Sequence, residues 1–224
     1  MTGKTDFQLG KKVNEYLLEK GVETPMTKHN NMVFDDKKRA VEASFTAIMQ
    51  NLGLDLKDDS LMDTPKRIAK MYLQEIFYGL NYENFPKCTA VENKMNHNEM
   101  VIEPQITVSS TCEHHFVTID GFAKVAYIPK DKVLGLSKLN RIVSFFAKRP
   151  QIQERLTEQI YYALSFILET EDIAVEISAV HHCVKSRGIM DTNSYTMTRK
   201  LGGKFLVPEV RNEFLNSRNE RLEK

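Results

Sequence analysis

Apolar side chains recur every three to four residues through most of the first 95 positions, and every second residue in several stretches beyond them. The opening segment Phe7 to Leu18 predicts a helix that ends at Gly21. Positions 24–34 are polar and contain a proline, which predicts an irregular linker. Asp35 or Asp36 is placed to cap a second helix carrying Val41, Phe45, Ile48 and Leu52, with Gly53 just past its end. Thr64 as N-cap and Pro65 in the first turn start a third helix. Its stripe is Ile68, Tyr72 and Ile76, with Leu73 beside it and Gly79 as the stop. Phe85-Pro86 opens a connector that runs through the polar stretch Glu92 to Glu99.

Beyond the connector the period changes to two. Ile106 to Ser109, Phe116 to Ile119 and Phe122 to Ile128 read as strands. Asp120-Gly121 fits either a two-residue hairpin turn or a glycine bulge in one long strand. Pro129-Lys130-Asp131 closes the extended region, and Ser137 can cap a helix carrying Leu139, Ile142, Val143 and Phe146. Pro150 breaks it. A second helix from Gln151 to Leu168 buries Leu156, Ile160, Ala163, Leu164 and Ile167. Ile173 to Val180 and Asn193 to Arg199 are further strands, followed by a turn at Leu201-Gly202-Gly203 and a helix from Glu209 to Asn216. Strand, strand, helix, helix, strand, strand after an all-helical extension predicts an α+β fold with mostly antiparallel pairing. We place the helical region at residues 1–95 and the sheet domain at 96–224. Such a small sheet has open edges, and oligomerisation is one way to protect them.

Composition narrows the function classes. The 224 residues carry 31 Lys and Arg against 30 Asp and Glu, a net charge of +1, so a strongly electrostatic nucleic-acid binder is not indicated. With 42% hydrophobic and 27% charged residues the chain has a soluble globular composition. Three cysteines cannot form a fully paired disulfide framework and suit a reducing compartment. Met1 to Gln8 lacks the apolar core of a signal peptide, and no apolar run is long enough to span a membrane. A cytoplasmic protein is expected, without membrane or nucleic-acid partners.

The chemistry concentrates in two clusters, Cys112-Glu113-His114-His115 and His181-His182-Cys183. These seven positions hold four of the six histidines and two of the three cysteines, so local enrichment is the signal. Cys112 and His115 are spaced so that one turn can present both to a metal, and Cys183 can supply a third ligand. Such a Cys2His set suits Zn²⁺ and leaves a tetrahedral position for water, whose pKa the metal lowers to about 7. The same cysteines also fit inert buried thiols. Strand alternation would put His181 and Cys183 on one face and His182 on the other. His114 fits a structural or a catalytic role equally, and Cys88 has no assigned function.

Gly135 to Arg141 begins a helix whose free N–H groups, with the Ser137 hydroxyl, can receive phosphate oxygens. Lys138 and Arg141 add positive charge, although a capped amphipathic helix with surface bases explains the same pattern. No Walker loop is present. Arg187 and Arg67 fit either a charged site or ordinary surface ion pairs. Gln153 and Glu154 open a helix, where capping is their ordinary use. A carboxylate such as Glu154 can also accept the two adjacent donors on the edge of guanine, which adenine lacks.

Six ordered motifs stand out: Asp59 to Ala69, Ser110 to Phe116, Ala126 to Lys130, Gly135 to Lys138, Arg149 to Thr157 and His181 to Gly188. In these the chain resembles GTP cyclohydrolase I, the zinc enzyme that makes dihydroneopterin triphosphate, in its bacterial form. The resemblance implies hydrolysis and rearrangement of GTP to 7,8-dihydroneopterin triphosphate with release of formate. It implies one Zn²⁺ per subunit on Cys112, His115 and Cys183, with His114 and His181 catalytic. Glu154 would anchor guanine, aided by Gln153 and the backbone near Leu136. Ser137, Lys138, Arg141 and Arg187 would face the triphosphate, joined by Arg67 of a neighbouring subunit, and Glu113 would be a further polar contact near the ribose or zinc.

The implied architecture is the tunnelling fold, whose sheets close into a barrel of five subunits. Two pentamers stack as a homodecamer with active sites at subunit interfaces. That fold favours one continuous strand through Asp120-Gly121, with an irregularity at Gly121. His182, Ser186, Met190 and the pair Arg199-Lys200 depart from what is common in the family and read as tuning differences. Two other classes fit some of the same residues: another tunnelling-fold enzyme, and a noncatalytic zinc-stabilised nucleotide-binding assembly. Formate release from GTP separates them.

Overall fold

The computed structural model describes residues 4–27 and 32–217, so positions 28–31 of the expected linker lie outside the described residues. Contacts divide the chain into two units, Pro25–Tyr78 and the remainder, Met1–Thr24 with Gly79–Lys224. This differs from a simple boundary at residue 95, because the first helix belongs with the sheet.

In the smaller unit, α2 (Phe34–Asn51) follows an N-cap at Val33 that makes no side-chain cap bond. Asp35 and Asp36 therefore lie inside the first turn, where their carboxylates complement the helix dipole without capping. α3 (Thr64–Met71) has Asp63 at the N-cap position and Pro65 in its first turn, one residue away from the expected start. It does not run straight to Gly79 but passes into a π-helical turn, Tyr72–Ile76. Phe45 of α2 stacks on Tyr72 with ring centroids 5.4 Å apart, tying the two helices together.

In the larger unit, the Asp6 carboxylate accepts from the Leu9 N–H at 3.0 Å and starts α1 (Phe7–Glu19). Val13 and Leu17 of α1 are fully buried, and Tyr16 packs against Tyr162 and Phe166. The connector after Phe85 hides a short strand that the polar sequence does not announce. This is β1 (Ala90–Glu92), antiparallel to β4 (Lys132–Leu134).

The main sheet has the order β5-β2-β3-β6-β7, built from β2 (Val101–Cys112), β3 (Thr118–Tyr127), β5 (Pro150–Gln151), β6 (Ile173–His181) and β7 (Thr196–Leu201). All its pairings are antiparallel except the two-residue contact of β5 with β2. β2 is much longer than the stretch from Ile106 to Ser109, and β7 lies closer to the C-terminus than expected. β3 is one continuous strand, so the hairpin reading of Asp120-Gly121 fails. Gly121 pairs in regular register with Val108 and Ala179, so no bulge sits there either. The glycine serves close packing. A Cβ at 121 would lie 2.6 Å from Ala179 Cα and closer still to the Ser178 carbonyl oxygen. The register shift falls in β2 between Glu103 and Ile106, around Pro104, which has no N–H to give the ladder.

α4 (Leu136–Ala147) and α5 (Gln153–Leu168) cover one face of this sheet. Leu139, Ile142, Val143 and Phe146 of α4, and Leu156, Ile160, Ala163, Leu164 and Ile167 of α5, are all buried, as their spacing predicts. Gly135 is the N-cap of α4, which moves Ser137 from the cap into the first turn. On the other face, Ala126, Ile128 and Ala174 pack with Phe205 and Phe214, the last from α7 (Pro208–Asn216). Beside them runs a charged row across three strands. Glu176 lies 3.6 Å from Lys124 and also pairs with Arg199. The Lys124 ammonium donates to the carbonyls of Phe214 and Ser217 at 3.2 Å, capping the C-terminal end of α7.

Candidate functional site

β2 ends at Cys112 and β3 starts at Thr118, and the turn between them carries the first cluster. The Phe116 N–H donates to the Cys112 carbonyl at 2.9 Å, and the Cys112 N–H donates to the Val117 carbonyl at 2.8 Å. Closing the turn this tightly puts Phe116 at φ 55°, a left-handed conformation that costs a non-glycine residue about 1–3 kcal/mol. The strand β5 holds the turn from outside, since the Glu113 N–H donates to the Gln151 carbonyl at 3.0 Å. Gln151 is itself fully buried and hydrogen-bonded to Gln159 at 2.7 Å.

The second cluster comes from the end of β6. The strand stops at His181 and the chain turns at once into the short helix α6 (His182–Lys185). The alternation expected to place His181 and Cys183 on one face therefore ends before Cys183. Cys183 reaches the site from a helical turn instead. Ligand atoms of Cys112, His115 and Cys183 all lie within 4.8 Å of one another, and His115 Nδ1 is 3.9 Å from Cys112 Sγ.

The chemistry of this donor set fits a zinc ion. Burial, and the adjoining Cys112 sulfur, push the Cys183 thiol above its ordinary range, with Arg187 opposing. A divalent cation favours the thiolates and removes that penalty. The Arg187 guanidinium lies 3.0 Å from His115 Nε2. Cys112 is buried, while His114 and His115 are exposed.

Around this centre the structure places the remaining candidates unevenly. His181 is half-buried, with its Nε2 2.7 Å from Gln153 Oε1. Burial pulls its pKa below the ordinary histidine value, and the Glu154 carboxylate opposes the shift. Glu154 is exposed in the first turn of α5. Gln153, one residue earlier, is turned inward and committed to protein partners. The Glu113 carboxylate is likewise committed: Arg155 donates to both its oxygens, at 2.6 and 3.4 Å, and His114 Nε2 is 3.8 Å from one of them. Leu136, Ser137, Lys138 and Arg141 share the first two turns of α4, with the two bases half-buried. Arg67 lies on α3 in the smaller unit, exposed and 3.8 Å from Asp63.

Arg155 and β5 are parts of the site that sequence reasoning missed. No local spacing links Arg155 to Glu113, and a two-residue strand leaves no periodicity to read. Three of the family departures have local partners. The Ser186 hydroxyl donates to the His182 carbonyl at 2.6 Å, Arg199 pairs with Glu176, and Lys200 lies 3.0 Å from Glu158. Met190 is exposed at φ 56°, and nothing in the structure explains the methionine.

Comparison with known proteins places this geometry. The model of the family described as GTP cyclohydrolase I matches residues 41–219, which include both clusters. GTP cyclohydrolase 1 of Yersinia enterocolitica is 59% identical over 206 residues, covering 92% of this chain and 93% of that protein. The protein of the same name from Tolumonas auensis is 58% identical over 91% of this chain and 94% of its own length. That of Shewanella amazonensis is 56% identical over 93% and 97% respectively. Identity sustained at this level across nearly the full length of several relatives, with the metal cluster inside the matched span, means that the chain belongs to the GTP cyclohydrolase I family.

Proposed function

We propose that the two clusters and the flanking helix starts carry out the reaction of this family, in which GTP becomes 7,8-dihydroneopterin triphosphate and formate. The observation that carries this is the meeting of Cys112, His115 and Cys183, from two segments far apart in sequence, beside His181 and the start of α5. A zinc ion on these three side chains supplies a Lewis acid and a lowered water pKa at neutral pH.

The chain's own residues do the rest. Glu154 accepts the paired donors of the guanine edge, and the backbone at Leu136 helps to seat the base. Ser137, Lys138 and Arg141 hold the triphosphate at the start of α4, where unpaired N–H groups also favour anions. Arg187 adds positive charge beside His115. His114 and His181 move protons during opening of the imidazole ring and release of formate. No phosphoryl transfer is needed, so the triphosphate acts as a handle, and the absence of a Walker lysine is consistent with that.

We further propose a cytoplasmic homodecamer of two stacked pentamers, with Arg67 reaching the site of a neighbouring copy. No helix among the described residues is long and apolar enough to cross a membrane. β2 pairs with β5 only at Thr111 and Cys112, so its outer edge from Val101 to Ser110 has no strand partner among the described residues, and neither has the outer edge of β7. Ile189, Met190 and Tyr195, leading into β7, are 82%, 67% and 64% exposed, which supports a covering neighbour.

The deciding assay gives zinc-loaded protein GTP and measures formate and the oxidised pteridine. Both should appear in equal amounts, and GTP bound without turnover would refute the reading. Native mass spectrometry should find ten chains. Verified mixed oligomers of Arg67→Ala and Glu154→Ala chains should regain activity, and their failure to do so would place Arg67 outside the neighbour's site.

A further inference from the structure

The Gln153 side chain is enclosed, with 1% of the residue exposed, and both ends of its amide are spoken for. Its nitrogen lies 2.9 Å from the Ile177 carbonyl oxygen, 3.0 Å from that of Thr196 and 3.1 Å from Thr198 Oγ1. Backbone carbonyls only accept, so this end of the amide must be the NH₂. Turning the amide over would set oxygen against oxygen twice in a buried site.

The hydroxyls agree with this orientation. Thr157 donates to the Gln153 carbonyl at 2.9 Å, so the 2.7 Å contact between the two threonine hydroxyls must be donated by Thr198. Thr198 is then left as an acceptor toward the amide. The other end of Gln153, Oε1, can only accept, and it lies 2.7 Å from His181 Nε2. That contact requires the proton on Nε2. In a neutral imidazole the lone pair then sits on Nδ1.

We propose that Gln153 is a positioning residue that holds the His181 ring as the Nε2–H tautomer, with the lone pair on Nδ1. The orientation comes from the β6 and β7 backbone through the amide, so the sheet itself selects the tautomer. The Gln153 side chain thereby acts through the histidine, since both ends of its amide are held by protein partners. This rests on the assignment of His181 to proton transfer.

The test uses zinc-loaded, assembled enzyme labelled with ¹⁵N at histidine and examined by solid-state NMR, with the His181 signals identified by their loss in His181→Asn. The wild type should show a protonated Nε2 and a bare Nδ1. Gln153→Met, which keeps the length of the side chain but neither hydrogen bond, should mix the two tautomers. Its kcat should fall about 10²-fold, within the range that proton-transfer groups contribute, while KM for GTP changes less than about threefold. Thr198→Val removes one of three acceptors and should leave the tautomer in place, which separates positioning from loss of local packing. A bare Nε2 in the wild type, or a Gln153→Met spectrum like that of the wild type, overturns the proposal. So does a Gln153→Met protein whose KM rises with kcat unchanged, since that returns Gln153 to base recognition. If instead His181→Asn releases formate at the wild-type rate, the catalytic assignment of His181 falls while the tautomer measurement stands.

Discussion

Replacing Arg155 with methionine should loosen the metal centre although Arg155 touches no ligand. The Arg155 and Glu113 side chains are 17% and 23% exposed, and they meet at 2.6 Å. At an effective dielectric near 20 and a charge separation of about 3 Å the gross attraction is roughly 5 kcal/mol. Desolvation of both groups takes back much of this. Exposed pairs net about 0–1 kcal/mol, and breaking fully buried ones costs about 3–5. This pair lies between those limits, so Arg155→Met should cost about 2 kcal/mol. Glu113 sits between two strained or ligand-bearing parts of one turn, Cys112 on one side and His115 to Phe116 on the other. If the whole loss falls on that turn, zinc affinity drops about 30-fold, and if half does, about fivefold. A chelator competition on the wild type, Arg155→Met, Glu113→Gln and the double variant measures it. The double variant should lose less than the sum of the singles by at least about 1 kcal/mol. Additive losses, or a zinc affinity within about twofold of wild type in Arg155→Met, would refute the argument that the ion pair sets the turn.

Three further outcomes follow from the same structure. Gly121→Ala forces a Cβ into the β6 backbone and should cost about 1–3 kcal/mol, lowering the thermal midpoint by roughly 2–10 °C, and an unchanged midpoint would mean that β3 and β6 can part there freely. Glu154→Gln should cut GTP turnover efficiency by about 10²-fold or more with zinc content unchanged and should shrink the preference for GTP over ITP, while an unaltered GTP-to-ITP ratio would remove Glu154 as the base anchor. Burial pushes the Cys88 thiol up to about 12, so native Cys88 should remain a thiol and resist iodoacetamide through pH 9, becoming reactive on unfolding; rapid alkylation at pH 8 would contradict that burial.

The helices and the buried faces were legible because their signals are local. The stripe Leu156, Ile160, Ala163, Leu164 and Ile167 lies within one segment and reports its own environment. The metal ligands were legible as residue types at a telling spacing, but their meeting depends on β3 separating β2 from β6 by one strand, which no window of sequence contains. Gly121 was misread for a related reason. A glycine inside a strand has the same local signature whether it makes a turn, a bulge or a close contact, and only the approach of Ser178 and Ala179 decides. Cap positions slipped by one or two residues at Asp35, Thr64 and Ser137 because the N-caps are Val33, Asp63 and Gly135, none of which makes the side-chain cap bond that sequence reasoning looks for. Arg155 and Gln153 were visible as letters but not in role, since their partners Glu113, Ile177 and Thr196 lie on other elements.

The division of the ligand set between two distant segments also orders the life of the chain. Cys112 and His115 arrive together as soon as their turn forms, whereas Cys183 emerges only after α4, α5 and β6 have been made. A nascent or partly folded chain therefore offers at most a two-point, weakly holding site. The third donor joins when β6 docks on β3, the pairing that closes one of the longest loops in the topology. The complete three-point site therefore exists only where β6 is paired with β3, so holding the ion and holding that pairing are one linked equilibrium, and metal bound there stabilises the assembled sheet.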